Sequence, residues 1–342
     1  MISLGVLLTP IILKKELVLD DLRGKSFAVD GYIVLHQFLA LIRDRTGTPL
    51  MDQKGNVTSH LVGLAFRTTR LISEYGMNLV FVFDGKPPQL KMNEIAKRKE
   101  VRRKAEQEYN EAVARGDMSK AFSKAVMTGR LTREGVDDAK RLLDCLGIPW
   151  VQAPSEGEAQ AAHICSNGDV WASNSKDYDS LLFGVPRLVR FLSIAGQEWL
   201  PSKGRARRTY PELIELDKFL GHHGINREQI IDLGMLVGTD FNDGIKGVGP
   251  KTALKLVKEH GRIEDMPPDI REKMPDTIDA IRDLYLNPDV TDDYSVQRGE
   301  LMEQELDDFL VGEKNFSPKR VQVLINRMRN SAAQKSLKDF FG

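Results

Sequence analysis

The 342-residue sequence has only two cysteines, Cys145 and Cys165, and no run of 18 apolar residues. Two cysteines can build neither a disulfide framework nor a four-cysteine zinc site, which favours a reducing compartment. Without a long apolar run, the sequence offers no candidate membrane-spanning segment. An excess of charge of one sign is also absent, because 49 basic residues balance 49 acidic ones. Any electrostatic partner must therefore be bound by local patches.

The order of the predicted elements indicates an α/β fold. Short β-rich runs, of which residues 79–83 (LVFVF) are the most apolar, alternate with helical patterns such as residues 132–146. A strand that is apolar at every position is typical of a parallel sheet buried on both faces. We therefore predict a mostly parallel central sheet with helices on both faces.

Two regions depart from this alternation. Residues 91–115 favour a helix but are charged on nearly every side, so this helix is predicted to be exposed. After about residue 212 the sequence becomes helical. We expect a core at residues 1–215 with a helical insertion at about 86–130, a helical region at 216–325 packed on it, and a tail at 326–342.

Acidic residues follow predicted strands or turns in five separate segments. Ligands of open α/β sheets bind beyond the carboxyl ends of the strands, so these acids are expected to converge on one cleft. Their mutual repulsion would raise their pKa values unless cations are bound there. Oxygen ligands without a His or Cys cluster favour Mg²⁺ or Mn²⁺, and two such ions suit phosphodiester hydrolysis. The candidate ligands are Asp30, Asp84, Glu156, Glu158, Asp177, Asp179 and Asp240.

Each of these acids also has a simpler explanation when it is taken alone. Ser155 and Glu158 have the spacing of a helix capping box. Asp30 and Asp84 fit ordinary turn positions, and the acids of residues 177–179 fit a solvated loop. The recurrence of acids after five separate segments is what favours a metal site.

Four stretches of the sequence closely resemble flap endonucleases, a family of structure-specific 5′ nucleases, and in particular the archaeal type. They are residues 83–88 (FDGKPP), 153–161 (APSEGEAQA), 176–184 (KDYDSLLFG), and 237–240 (VGTD) with 247–251 (GVGPK). The resemblance implies a 5′ flap endonuclease with 5′-3′ exonuclease activity that cuts DNA at single-/double-strand junctions. It further implies roles in Okazaki-fragment maturation and base-excision repair, and a monomer in the cytoplasm of an archaeal cell.

The resemblance also implies how the acids are used. All seven would hold two Mg²⁺ ions, for which Mn²⁺ can substitute. Asp30, Asp84 and Glu158 would lie nearer one ion, Asp177 and Asp179 nearer the other, and Asp240 would act through water.

Lys91 and Arg98 match a basic pair at the base of the family's helical arch, which implies a catalytic role. They are seven residues apart and so share a helix face, where they could stabilise developing charge on a phosphate. The alternative is a solvated face of a charged helix.

Two positions depart from the family pattern. Flap endonucleases typically begin Met-Gly, with this small N-terminus near the active site. Here residues 1–4 precede Gly5, so either they are accommodated beside the site or the start is misassigned. Where eukaryotic relatives have a tyrosine that stacks on a base, this sequence has His36. A histidine can stack more weakly, and a satisfied core histidine explains the position equally well.

The segment with Gly247, Gly249 and Lys251 resembles a helix–turn–helix hairpin that grips the duplex backbone. Glycines allow close approach of a phosphate, and the amides at the following helix N-terminus favour an anion. The family implies K⁺ at this hairpin when DNA is bound. The alternative is a plain loop.

The tail resembles a sliding-clamp-binding peptide of the form Q-x-x-L-x-x-F-F. Its apolar residues share one face of a helical turn and suit a pocket on a clamp of the proliferating cell nuclear antigen type. The residues are Gln334, Leu337, Phe340 and Phe341. The alternative is a tail that folds back on its own body.

A different class of function also accounts for these features. The protein could be a clamp-tethered, junction-binding protein whose acids hold structural ions without catalysis. Cleavage of branched DNA with and without Mg²⁺ distinguishes the two.

Overall fold

The computed structural model describes residues 5–44, 48–115, 131–193, 198–200, 205–207 and 209–341. Within these ranges the side chains of residues 102, 113, 198–200, 205–207 and 332–341 lie outside the description.

A seven-stranded mixed sheet forms the centre of the fold, in the order β1-β9-β6-β5-β2-β3-β4. The five strands β6, β5, β2, β3 and β4 are parallel, and β9 and β1 extend the sheet antiparallel at one side. Their bounds are β1 Lys15–Glu16, β2 Ser26–Asp30, β3 Asn78–Phe83, β4 Trp150–Gln152, β5 Ala172–Asn174, β6 Arg187–Arg190 and β9 Glu212–Glu215. A separate hairpin pairs β7 (Glu198–Leu200) with β8 (Arg205–Arg207).

The two faces of the sheet carry two hydrophobic clusters. Along β3, Leu79, Phe81 and Phe83 point into one cluster, while Val80 and Val82 point into the other. This alternation follows from the two-residue period of a strand. Because both sets are buried, the strand is apolar at every position after Asn78, as the sequence predicted.

The helices divide between these two faces. The face of Val80 is covered by helices Gly157–Ser166, Asp179–Leu182, Leu216–His223, Arg227–Val237, Pro250–His260, Pro268–Arg271 and Ile278–Leu286. The face of Phe81 is covered by Gly31–Leu41, Ser59–Gly63, the π-helical turn Leu64–Thr68, Thr69–Tyr75, Arg133–Cys145, Glu303–Asp307, the π-helical turn Asp308–Glu313 and Pro318–Phe341. Within the described residues, short 3₁₀ segments are Leu19–Leu22, Gln89–Lys91 and Ile263–Asp265.

The helix Met92–Ala114 forms the first part of the predicted insertion, and the predicted exposed helix is confirmed. Most of its side chains are exposed or half-buried, because charged residues occupy nearly every side. The rest of the insertion, residues 116–130, lies outside the described residues.

The mostly parallel sheet with helices on both faces is confirmed. The expectation that the chain is helical from about residue 212 is wrong at its start, because Glu212–Glu215 pairs with Arg187–Arg190 as a strand. The proposed boundaries at 215 and 325 remain predictions. Residues 303–328 contribute to the cluster on the opposite face from residues 216–286. In the described parts of the chain, no helix has the length and apolarity to cross a membrane.

His60 is a buried histidine without hydrogen-bond partners among the described residues. It is 3% exposed, and neither of its ring nitrogens is paired. Its Nε2 faces the N-terminal turn of helix Arg133–Cys145, where a Cβ on Gly135 would lie 3.3 Å away. Burial lowers the pKa of His60 to about 4, because the charged imidazolium would lose its hydration.

We predict that His60 makes the fold sensitive to mild acid. A lowered folded-state pKa means that the unfolded chain binds the proton more tightly, so stability is complete above about pH 6.5 and falls as the pH approaches 4. The full loss should be about 3 kcal/mol. In His60→Leu the free energy of unfolding, measured by denaturant titration from pH 7 to 4, should fall less steeply than in the wild type. The exposed His222→Leu variant is the control, and an unchanged slope in His60→Leu would contradict the prediction.

Candidate active site

The carboxyl ends of the parallel strands bring the predicted acids to one edge of the sheet. Asp30 is the last residue of β2, and Asp84 directly follows β3. Glu156 lies four residues beyond β4, and Asp177 lies three residues beyond β5. Because these four strands are parallel neighbours, their ends share one edge. The geometry expected from the sequence is therefore present.

Backbone amides hold three of these carboxylates in place. Asp30 Oδ1 accepts a hydrogen bond from Ile33 N at 2.9 Å and caps helix Gly31–Leu41. Asp84 Oδ1 accepts from Gly157 N at 2.7 Å, and Asp179 Oδ1 accepts from Val6 N at 3.0 Å. These amides orient the three acids.

Two glycines allow these contacts. A Cβ on Gly157 would lie 2.6 Å from Asp84 Oδ1, and a Cβ on Gly5 would lie 1.9 Å from Asp179 Oδ2. Gly5 also has a φ of +75°, which favours glycine. The small residue expected near the site therefore contacts an acid directly, while residues 1–4 lie outside the described residues.

Glu158 belongs to the site and is not a helix cap. Its Oε1 accepts hydrogen bonds from Ser175 Oγ at 2.8 Å and Ser180 Oγ at 3.2 Å. The helix begins at Gly157 with Glu156 as its N-cap residue, one residue later than the capping-box spacing requires, and no side chain caps it. The capping explanation for Glu158 is therefore wrong.

Asp240 comes from the helical region rather than from the sheet. It follows helix Arg227–Val237 in a turn that is closed by hydrogen bonds between Thr239 and Asn242. In one of them Thr239 Oγ1 donates to Asn242 Oδ1 at 2.9 Å. This turn places Asp240 against the base of helix Met92–Ala114, where Arg98 Nη2 donates to Asp240 Oδ1 at 2.5 Å.

Burial and mutual repulsion raise the pKa values of the clustered acids. Burial, followed by the charge of Asp240, raises the pKa of Asp179 to about 8. Burial is also the main reason that the pKa of Asp177 rises to about 6, with Asp240 contributing again. The pKa values of Asp30 and Glu158 are raised well above their usual range, first by burial and then by Asp84 and Asp179 respectively. A bound cation would favour the charged form of these groups.

Lys91 and Arg98 supply part of this positive charge. Lys91 Nζ forms an ion pair with Glu156 and another with Asp240 at 3.1 Å, and its side chain is only 14% exposed. Burial lowers the pKa of Lys91, but the Glu156 and Asp240 carboxylates more than offset this effect and raise it overall. The solvated-face alternative for this pair is therefore wrong. It holds for Lys97, whose partner Asp243 is 80% exposed.

The chemistry of the acids fits hard divalent cations. The atoms that the acids offer to a metal are carboxylate oxygens. These oxygens are buried and carry like charges, so a bound cation would stabilise them. Within the described parts of the chain, no three His, Cys, Asp or Glu side chains are already grouped around one metal position. Lys91 and Arg98 are paired with Glu156 and Asp240 instead. The carboxylate oxygens that would hold a cation are therefore present, and two of these carboxylates are also the partners of Lys91 and Arg98.

The other predicted residues lie away from the acids or outside the description. His36 is exposed on helix Gly31–Leu41, so the core-histidine explanation is wrong. Gly247 has a φ of +89°, and Gly249 is the N-cap of helix Pro250–His260, on which Lys251 is exposed. The backbone of the clamp motif continues helix Pro318–Phe341, but the side chains of Gln334, Leu337, Phe340 and Phe341 lie outside the described residues.

Arg190 is a contributor that sequence reasoning missed. Its Nε donates to Lys176 O at 2.8 Å and its Nη1 to the Tyr178 hydroxyl at 2.5 Å. The same Nη1 also pairs with Glu212, which lies on the antiparallel strand. Arg190 thus fixes the loop that carries Asp177. An arginine at the end of a strand carries no sequence signal for this role. The role depends on Glu212, which lies on a strand that the sequence did not predict.

Comparisons with known proteins identify relatives along the whole chain. The XPG N-terminal domain matches residues 2–105, and the XPG I-region matches residues 147–240. Flap endonuclease 1 of Hyperthermus butylicus is 50% identical over 93% of this chain and 91% of that protein. Flap endonuclease 1 of Pyrococcus abyssi is 45% identical over 99% of this chain and 98% of that protein.

Solved structures give the same result. Flap endonuclease-1 from Methanococcus jannaschii is 38% identical, with a TM-score of 0.77 over 97% of this chain and all of that chain. The catalytic core of Rad2, solved in complex with a DNA substrate, shares the fold at 23% identity and a TM-score of 0.67. Fold and site together define a metal-dependent nuclease of the α/β class. The chain belongs to the flap endonuclease family.

We predict that Gly157→Ala disables the site without unfolding the protein. The new methyl group would displace the Asp84 carboxylate, and a misplacement of about 1 Å can lower a catalytic rate about 100-fold. The measurement is single-turnover cleavage of flap DNA together with thermal unfolding. Gly221→Ala is the matched control, because nothing lies within 4 Å of a Cβ there. Wild-type cleavage by Gly157→Ala would show that the Asp84 position is not critical.

Proposed function

We propose that the protein is a 5′ flap endonuclease with 5′-3′ exonuclease activity. It hydrolyses phosphodiester bonds at single-/double-strand DNA junctions, in Okazaki-fragment maturation and base-excision repair. The observation that carries this proposal is the convergence of buried acids at the sheet edge, with Lys91 and Arg98 among them. Its family membership supports the same activity.

Two Mg²⁺ ions complete this site, and Mn²⁺ can substitute. The residues that would hold them are Asp30, Asp84, Glu156, Glu158, Asp177, Asp179 and Asp240. When bound, such ions activate water and stabilise the leaving oxygen of a phosphodiester. The raised pKa values support this proposal, because they indicate carboxylates that lack sufficient counter-charge from the protein alone.

Lys91 and Arg98 are the catalytic side chains that the protein itself supplies. Both reach the acids from the base of the helical insertion, so a phosphate entering the cleft meets them together. Their N–H groups donate hydrogen bonds to its non-bridging oxygens and stabilise the charge that develops there. A phosphate is a suitable alternative partner for both groups, because it carries the same charge as the carboxylates they now contact.

The duplex is held by backbone contacts at a distance from the acids. The Gly247–Gly249 turn leads into helix Pro250–His260, whose N-terminal amides favour a phosphate, and this turn would hold K⁺ when DNA is bound. A Cβ on either glycine would meet nothing within 4 Å, so the backbone is open to a ligand. Lys251 adds positive charge, and the exposed His36 stacks on a base. Such contacts bind DNA without regard to sequence.

The C-terminal motif binds a sliding clamp of the proliferating cell nuclear antigen type. The helical backbone through Phe341 supports this proposal, because in a helix Leu337, Phe340 and Phe341 are spaced to share one face of a turn. We propose further that the enzyme works as a monomer in the cytoplasm of an archaeal cell.

We predict that Asp179→Asn and Asp84→Asn abolish cleavage while junction binding survives. Each change removes a charge needed to hold a divalent cation and leaves the volume of the side chain nearly unchanged. Cleavage of labelled 5′-flap DNA and of a matched blunt duplex, with Mg²⁺ and with chelator, measures the loss, and a binding assay provides the control. Full activity in either variant would refute the site. Absence of Mg²⁺-dependent cleavage by the wild type would favour the binding-only alternative.

We predict that deleting residues 334–342 weakens clamp binding and leaves unstimulated cleavage nearly intact. The deleted residues contribute none of the proposed metal ligands. Pull-down with a purified clamp tests the first part, and flap cleavage without a clamp tests the second. Equal clamp affinity before and after the deletion would contradict the assignment of the motif.

A further inference from the structure

Tyr285 is a buried phenol behind the acids that the proposed mechanism does not use. It lies in helix Ile278–Leu286 and is 0% exposed. Its ring packs against Phe183, with 4.8 Å between centroids, and against Phe241, with 5.4 Å between centroids. Phe183 ends the turn that begins at Asp179, and Phe241 directly follows Asp240. The ring is thus wedged between the two chain segments that carry these acids.

The backbone of Tyr285 is tied to the same segment. Arg227 Nη2 donates to Tyr285 O at 3.0 Å and to Leu182 O at 2.7 Å. This side chain links helix Ile278–Leu286 to the short helix Asp179–Leu182. The position of the phenol relative to Asp179 is therefore fixed through both its ring and its backbone.

The hydroxyl of Tyr285 has no hydrogen bond of ordinary geometry to any described group. A buried hydroxyl without a partner is costly, so such a group calls for an explanation. Burial and then the charge of Asp179 raise the pKa of the phenol, and the Thr239 side chain lowers it. The ring lies between the segments that carry Asp179 and Asp240, so the hydroxyl is buried in the same region as these acids.

We propose that Tyr285 is a positioning residue of the nuclease site, whose hydroxyl donates a hydrogen bond to the Thr239–Asp240 turn when the site binds divalent cations. The bond holds Asp240 at a fixed distance from Asp179. Among the described groups the buried hydroxyl has no ordinary hydrogen-bond partner, so it is an available donor, and its ring is held between Phe183 and Phe241. This inference rests on the proposed function of the same site.

The test is Tyr285→Phe in the full-length protein. The ring is kept, so the packing against Phe183 and Phe241 survives, and only the hydroxyl is lost. We expect kcat for 5′-flap DNA to fall about tenfold, the effect of one lost hydrogen bond, with KM for DNA unchanged. The Mg²⁺ concentration for half-maximal rate should rise. The melting temperature without metal should not fall, because an unpaired buried hydroxyl is removed.

Tyr294→Phe is the matched control. It removes a hydroxyl that donates to Asp169 at 2.7 Å, on the surface and outside the acid cluster, so kcat should stay at the wild-type value. A second variant, Thr239→Val, completes a double-mutant cycle. If Tyr285 acts through the Thr239 turn, the double variant should be little slower than Thr239→Val alone, whereas independent effects would multiply.

Binding of Mn²⁺ without DNA, followed by electron paramagnetic resonance, separates this inference from the proposed function. Weaker Mn²⁺ binding in Tyr285→Phe than in Tyr294→Phe supports the positioning role even if the wild type cleaves no flap. Wild-type values of kcat and Mn²⁺ affinity in Tyr285→Phe would overturn it. So would a fall in melting temperature that accounts for the lost activity, since the hydroxyl would then be purely structural.

Discussion

The repulsion between buried carboxylates is the constraint on which the site depends. Burial and mutual repulsion disfavour the charged forms of acids that arrive from separate strands and turns, and the raised pKa values of Asp177 and Asp179 reflect this effect. The protein offsets part of it with two cations at the start of the helical insertion, Lys91 and Arg98. The rest has to come from bound ions. Metal binding and the position of the helical insertion are therefore linked through the same charges.

This linkage gives the insertion two alternative partners. Lys91 pairs with Glu156 and Asp240. Ions at the acids would compete for those oxygens, and a phosphate would offer Lys91 and Arg98 new acceptors of like charge. The ion pairs with the acids and the ion pairs with a phosphate would both be made by Lys91 and Arg98. The base of the helical insertion is therefore where the charges of the acids, of bound ions and of a phosphate would meet.

The sheet edge could be predicted from the sequence because it depends on local patterns. The apolar run before Asp84 marks a strand, and parallel strands bring the residues after them to one edge. The family resemblance added Lys91 and Arg98, which a charged helix alone would not have identified. What could not be predicted depends on long-range contacts. Val6 donates to Asp179 across 173 residues, and no local pattern marks either residue as the other's partner.

The same reasoning explains why Glu212–Glu215 was missed. Its strand is short and half-buried, and it is stabilised by pairing with β6 and by the contacts of Glu212 with Arg190 and Lys14. Arg190 in turn holds the loop before Asp179 through Lys176 O. An element with weak local preference thus controls the position of a loop that carries two of the proposed metal ligands. The precision of the site comes from the tertiary contacts behind the acids, while the acids themselves are what the sequence reveals.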